Sequence, residues 1–200
     1  MQKNCVILAS GNGSNCLNLI SKFYSGKNNR SSIGITAVVS NIENAPVIEK
    51  VKKNAPDIPV FTIPFTSVSE RECFEKELEN IIEKYKIKYI ILAGFMKILS
   101  KDFVAKFPFR IINIHPSLLP AFKGKDAIRN AFEYGVKYTG VTVHYVTSEV
   151  DAGPIICQEI VKIDDSDTVE SLEAKIHKAE HKIYPAGVEM AFSDCNRQIN

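Results

Sequence analysis

Apolar residues in this chain follow two patterns: short unbroken runs, and stripes at spacings of three and four. CVILAS (Cys5–Ser10), GITAVVS (Gly34–Ser40), IPVFTI (Ile58–Ile63), YIILAGF (Tyr89–Phe95) and RIINIH (Arg110–His115) are the runs. They are short and mostly rich in β-branched residues, as strands covered on both faces are. Helical patterns separate them. A helix is predicted over Leu17–Tyr24, and another over NAPVIEKVKKN, opened by Pro46. The fixed φ and missing N–H of proline suit a first helical turn. Ser69–Lys86 is the clearest helix, because Phe74, Leu78, Ile81, Ile82 and Tyr85 make one stripe. A short helical piece covers Lys101–Phe107, and SGKNNRSS (Ser25–Ser32) reads as a polar loop of turn formers. Buried strands alternating with helices predict a parallel sheet with helices on both faces.

After His115 the period changes. TGVTVHYV (Thr139–Val146) alternates more strictly, and PIICQEIVKI (Pro154–Ile163) follows after a gap too short for a helical crossover. These two strands should therefore run antiparallel. A last helix begins near DSDTVE, where Asp167 and Glu170 approximate a capping box, with Val169, Leu172 and Ile176 on one face. No repeat, low-complexity tract or linker interrupts the chain. The expected organisation is one α/β domain over residues 1–200 with a mixed sheet, its last few residues disordered.

Composition narrows the class. At 200 residues, with 45% hydrophobic and 24% charged residues, the chain can form a sizeable core without staples. Its net charge is +2 and its lysines sit among acids, which argues against a nucleic-acid partner. Cys5, Cys16, Cys73, Cys157 and Cys195 are odd in number and form no CxxC pair, so neither a disulfide framework nor a zinc site is expected. A reducing, cytoplasmic setting fits. The N-terminal apolar run is too short for a signal peptide, and none reaches the length of a membrane span.

Two stretches suggest chemistry. GNGSN (Gly11–Asn15) lies between a predicted strand and a predicted helix. Glycines there allow a sharp turn and close approach of a ligand, and free N–H groups with the helix dipole favour an anion. A dinucleotide fingerprint would require glycine at position 16, where Cys16 stands, and an acid after the second strand, where Asn41 stands. No lysine lies inside the turn, which excludes a P-loop. A plain strand-to-helix turn and a phosphate site both remain open.

The second stretch is NIHPSLLPAFKG, from Asn113. Residues two apart on a strand share a side, so Asn113 and His115 project together, and Pro116 ends the strand. Ligands of open parallel sheets sit beyond the carboxyl ends of strands. An asparagine amide can donate to a developing oxyanion, and a histidine can move a proton near neutral pH. Asp151, in SEVDAGP, is the candidate partner of His115, although spacing does not establish their proximity. Satisfied strand-end groups and an ordinary turn acid are the plain alternatives. No GxSxG or other nucleophile pattern occurs, and Cys5, Cys16 and Cys157 read as core residues. Direct transfer between two bound substrates is the resulting expectation, with LAGFMKILS (Leu92–Ser100) walling the pocket of a flat heterocycle.

GNGSN, LAGFMKILS, NIHPSLLPAFKG, TGVTVHYV, DAGP and AEHKIYP occur in that order and cover the chain from Cys5 to about Phe192. Together they resemble the phosphoribosylglycinamide formyltransferases, folate-dependent enzymes of purine biosynthesis. The resemblance implies a Rossmann-like α/β fold, its sheet mostly parallel with one antiparallel strand. It implies transfer of formyl from the co-substrate 10-formyltetrahydrofolate to the amino group of glycinamide ribonucleotide, with no metal. Asn113, His115 and Asp151 match the family's catalytic set. Gly11, Asn12, Gly13, Ser14 and Asn15 match its phosphate turn, and Glu180 would contact the glycinamide or ribose end. The folate side would be Arg71, Met96, Lys97, Ile98 and Leu99, with Asn113 and backbone from Val146 to Asp151. Asp151 would hold and charge-balance His115.

Lys97 departs from the arginine of some relatives, and Lys123–Ile128 lacks a histidine found in others. His144 reads as structural or supporting, and His177 and His181 as surface or packing residues of the last helix. Rivals are 10-formyltetrahydrofolate hydrolase, methionyl-tRNA formyltransferase, and a catalytically silent folate- or nucleotide-binding protein. The hydrolase's N-terminal domain and the tRNA enzyme's basic C-terminal domain are expected to be absent. The partners expected are small molecules, without nucleic acid or membrane, on a monomer or weak homodimer.

Overall fold

The computed structural model describes residues 3–24 and 33–193. The loop expected over residues 25–32, the disorder expected at the end of the chain, and Cys195 lie outside them. The chain falls into two compact units that meet in sequence at Ile111/Ile112.

The first unit carries β1 (Lys3–Ala9), α1 (Ser14–Phe23), β2 (Ile33–Ser40), α2 (Pro46–Asn54), β3 (Val60–Thr62), α3 (Val68–Lys84), β4 (Tyr89–Leu92) and α4 (Lys101–Lys106). Its strands lie in the order β3-β2-β1-β4, all parallel. Cys5 to Ala9 have no solvent exposure, which is why their sequence is apolar without alternation. Helix α3 buries Phe74, Leu78, Ile81 and Ile82, the predicted stripe, while Tyr85 becomes its C-cap. Pro46 is in the first turn of α2, as expected. Two strands are shorter than their apolar runs. β4 ends at Leu92, and the chain turns through Gly94 in the left-handed region, φ 71°. β3 is three residues on one side of β2.

The second unit carries β5 (Ile111–His115), α5 (Ala127–Tyr134), β6 (Tyr138–Tyr145), β7 (Ile155–Lys162) and α6 (Val169–Ser193). β6 pairs antiparallel with both β5 and β7, so the antiparallel β6–β7 pairing expected from the short gap holds. Parallel pairs in the first unit and antiparallel β6 here give the mostly parallel α/β character read from the sequence. Helix α5 was not anticipated. It is eight residues long and buries only Ala127 and Ala131, which leaves little periodicity to read. The N-terminal box of α6 sits one residue later than expected. Ser171 N donates to Thr168 Oγ1 at 3.2 Å, and Thr168 N donates to Ser171 Oγ at 2.9 Å. Asp167 instead accepts from Asp164 N, Ser171 Oγ and Lys175 Nζ. Leu172 and Ile176 are fully buried, as predicted. Among the described residues no helix is long and apolar enough to cross a membrane.

Candidate active site

The register of β5 on β6 sets Asn113 opposite His144 and His115 opposite Thr142. Asn113 Nδ2 lies 3.3 Å from His144 Nε2. The connection between β6 and β7 then brings Asp151 back to both strands. Its Oδ2 is 3.4 Å from His115 Nδ1 and its Oδ1 is 3.6 Å from His144 Nε2, with its side chain only 11% exposed. Asp151 has φ 48°, a left-handed conformation that aspartate tolerates better than most residues. Gly153 explains the tightness of this connection: a Cβ there would stand 1.8 Å from the Tyr145 carbonyl oxygen.

Hydrogen bonds assign the tautomers. His144 Nδ1 is 2.9 Å from its acceptor, the Tyr145 carbonyl, so the proton sits on Nδ1 and neutral Nε2 accepts from Asn113. Burial pushes His144 below its ordinary value, which keeps the ring neutral. Asn113 is thus oriented by one N–H and retains a second. His115 Nε2 is 2.8 Å from the Phe122 carbonyl, while Nδ1 faces Asp151. Two acceptors flank this ring, and the doubly protonated imidazolium is the form that donates to both.

The loop after β5 is held from below. Thr142 Oγ1 donates to Ser117 O at 2.7 Å and accepts from Leu119 N at 3.1 Å and Gln158 Nε2 at 2.9 Å. Ser117 Oγ donates to Ala121 O, and Gly124 N donates to Asp151 Oδ2 at 2.9 Å. A buried, satisfied network of this kind makes a loop rigid enough to present Phe122 O to His115. The role of Phe122 and Gly124 is carried by backbone, which leaves no side-chain signal in a sequence.

The other expected residues lie as follows. Glu180 is 5% exposed on α6, and its Oε2 accepts from His177 Nδ1 at 2.9 Å. Val146, half-buried, follows β6 directly. In the first unit, Gly11 to Asn15 form the turn between β1 and α1. Gly13 is the N-cap of α1 at φ 77°, with no side-chain cap bond. Ser10 Oγ donates to Asn41 Oδ1 at 2.6 Å and accepts from Met96 N at 2.8 Å, which positions the segment after β4. Glu75, buried, accepts from Ser100 N and Ser100 Oγ at 2.6 Å each and pins its far end. Between these anchors Met96 and Ile98 are 74% and 64% exposed, Leu99 is buried, and Lys97 Nζ lies 5.4 Å from the Phe65 ring centre. Among the described residues, Arg71 Nε is buried without a hydrogen-bond partner. Cys5 and Cys16 are buried, and burial pushes the Cys16 thiol up to about 12, which removes it as a nucleophile.

The sequence matches the formyl transferase family over residues 3–188. The chain belongs to the formyl transferase family. Within that family, it is 38% identical over 195 residues to the phosphoribosylglycinamide formyltransferase of Bacillus subtilis, covering 98% of this chain and 97% of the relative. It is 41% identical over 187 residues to the trifunctional purine biosynthetic protein adenosine-3 of Gallus gallus, covering 94% of this chain but only 18% of that longer protein. A crystal structure of phosphoribosylglycinamide formyltransferase from Anaplasma phagocytophilum superposes with a TM-score of 0.86 at 38% identity, over 97% of this chain and 88% of that one. The formyl transferase assignment agrees with the resemblance carried by the sequence motifs.

Proposed function

We propose that this chain transfers the formyl group of 10-formyltetrahydrofolate to the amino group of 5-phosphoribosylglycinamide, a step of purine biosynthesis. The observation that carries the reading is the meeting of His115 and His144 on Asp151, with Asn113 bonded to His144, in a member of this family. The substrate amine attacks the formyl carbon, and negative charge grows on the formyl oxygen. The second N–H of Asn113 donates to that oxygen. His115 adds its positive charge, exchanging the Phe122 carbonyl for the oxyanion as the substrates seat, since catalytic hydrogen bonds tighten in the complex. Asp151 balances that charge. The bond from formyl carbon to the folate nitrogen breaks, and the amine's proton passes to that nitrogen through Asp151 or water. No covalent enzyme intermediate forms.

The residues suit both substrates. Exposed Met96 and Ile98 offer apolar surface to a flat ring system, while Lys97 and the unpartnered Arg71 Nε suit anionic groups. The uncapped α1 N-terminus at Gly11–Asn15 suits a phosphate, and Glu180 suits a hydroxyl or amine of the ribonucleotide. We read the whole chain as one formyltransferase domain, cytoplasmic, working on small molecules as a monomer or weak homodimer.

A spectroscopic assay of folate deformylation, with and without 5-phosphoribosylglycinamide, tests this. Product should form only when the ribonucleotide is present, and Asp151→Asn should lower turnover by at least about 100-fold with unchanged circular dichroism. Product with water alone would identify a hydrolase. Ligand binding without product would identify a silent binding protein. Normal turnover in Asp151→Asn would remove the role given to Asp151.

A further inference from the structure

Helix α2 closes on the glycine turn from behind. Val47 N donates to Gly11 O at 3.2 Å, and Leu17 N donates to Gly13 O at 2.9 Å. Lys50 Nζ donates to Asn12 O at 3.1 Å and also to the Asn12 side-chain oxygen. Each of the three successive carbonyls is therefore turned onto a donor. Gly13 permits the contact, because a Cβ there would stand 2.6 Å from the Val47 Cβ. A carbonyl facing an anion repels it, whereas carbonyls tied back leave the N–H side of a turn facing outward.

Lys50 differs from the other two donors because it carries a charge. Its neighbour Lys52 pairs with Glu49 at 2.8 Å. Among the described residues no carboxylate pairs with Lys50, whose head group rests on the two neutral oxygens of Asn12. The turn itself contains no lysine, and this cation arrives from 38 positions further along the chain. We infer that Lys50 is a positioning and charge-balancing residue for a phosphate on the Gly11–Asn15 turn: it ties the Asn12 carbonyl back and leaves its positive charge to the anion. This rests on the reading of the turn as the phosphate site.

Steady-state kinetics of Lys50→Met, Lys50→Gln and Lys50→Arg test it, with inorganic phosphate as a competing probe. Lys50→Met should raise KM for the ribonucleotide about tenfold, the loss of one charge-assisted contact, with kcat nearly unchanged. Lys50→Gln keeps a donor without the charge and should show most of that rise. Lys50→Arg should restore most of the affinity, and added salt should narrow the gap between wild type and Lys50→Met. Phosphate should compete with the ribonucleotide in the wild type and inhibit Lys50→Met less. Competition by phosphate with unchanged KM in Lys50→Met and Lys50→Gln would overturn the role of Lys50 alone. No competition by phosphate in the wild type would overturn the phosphate reading of the turn. Loss of kcat without a change in KM would show that Lys50 acts on something other than substrate phosphate.

Discussion

Two histidines show how environment divides one residue type. Burial lowers His144 from its ordinary value of 6.5, ahead of the opposing effects of the Tyr145 carbonyl and Asp151. The hydrogen bond to Glu180 raises His177, and Glu173 adds to it. Protonation of His144 is thus easier in the unfolded chain. Its contribution to stability is present above about pH 6.5 and is lost as pH falls below it. His177 behaves oppositely: its contribution is full below the unfolded value and is lost as pH rises through the raised one. An NMR titration of the imidazole resonances should find His177 losing its proton above pH 6.5 and His144 still neutral at that pH. The reverse order would contradict the pairing of His144 with Asn113. At this scale the alternation of Asn113 and His115 was legible, since a strand period of two needs no tertiary information. His144 read only as a structural or supporting residue. Its exposure of 1% and its place opposite Asn113 depend on strand register, which sequence spacing does not state.

Helix termini carry the element-scale lesson. Helix α3 opens with a complete capping box: Glu70 N donates to Ser67 Oγ at 3.2 Å, and Ser67 N donates to Glu70 Oε2 at 3.0 Å. The backbone N–H groups of Ser67 and Thr66 hold the Glu70 carboxyl down at about 2. Its contribution is present above the unfolded value and disappears as pH falls toward that number. Ser67→Ala should cost about 1 kcal/mol, a fall in Tm of about 2–4 °C for a chain of this size, by thermal denaturation at neutral pH. An unchanged Tm would mean that the cap contributes nothing. The α3 stripe was legible because its apolar face recurs over many turns. Helix α5 was not, because eight residues make only about two turns, too few for its face around Ala127 and Ala131 to recur. The α6 cap moved by one residue because Thr168 and Ser171 bond each other while Asp167 is drawn to Lys175.

For the molecule as a whole, binding should register as stability. A ligand at about 100 times its Kd stabilises a folded protein by about 2.7 kcal/mol. 5-Phosphoribosylglycinamide should therefore raise Tm by several degrees in a thermal-shift measurement, and absence of any shift would count against binding to the folded chain. The alternation of apolar runs and helices already implied an α/β class, and the short gap after Val146 implied an antiparallel pair. Both are local consequences of side-chain period and loop length, so the sequence alone determined them. The family was carried separately, by the resemblance of ordered motifs. Tertiary structure alone brought Asp151 to His115 and His144, turned Phe122 O and Gly124 N toward that cluster, and set Lys50 against Asn12. Each of those contacts joins residues from different elements or loops, and three depend on backbone atoms that every residue shares. Such distances arise only when the chain has packed, since no local periodicity encodes them.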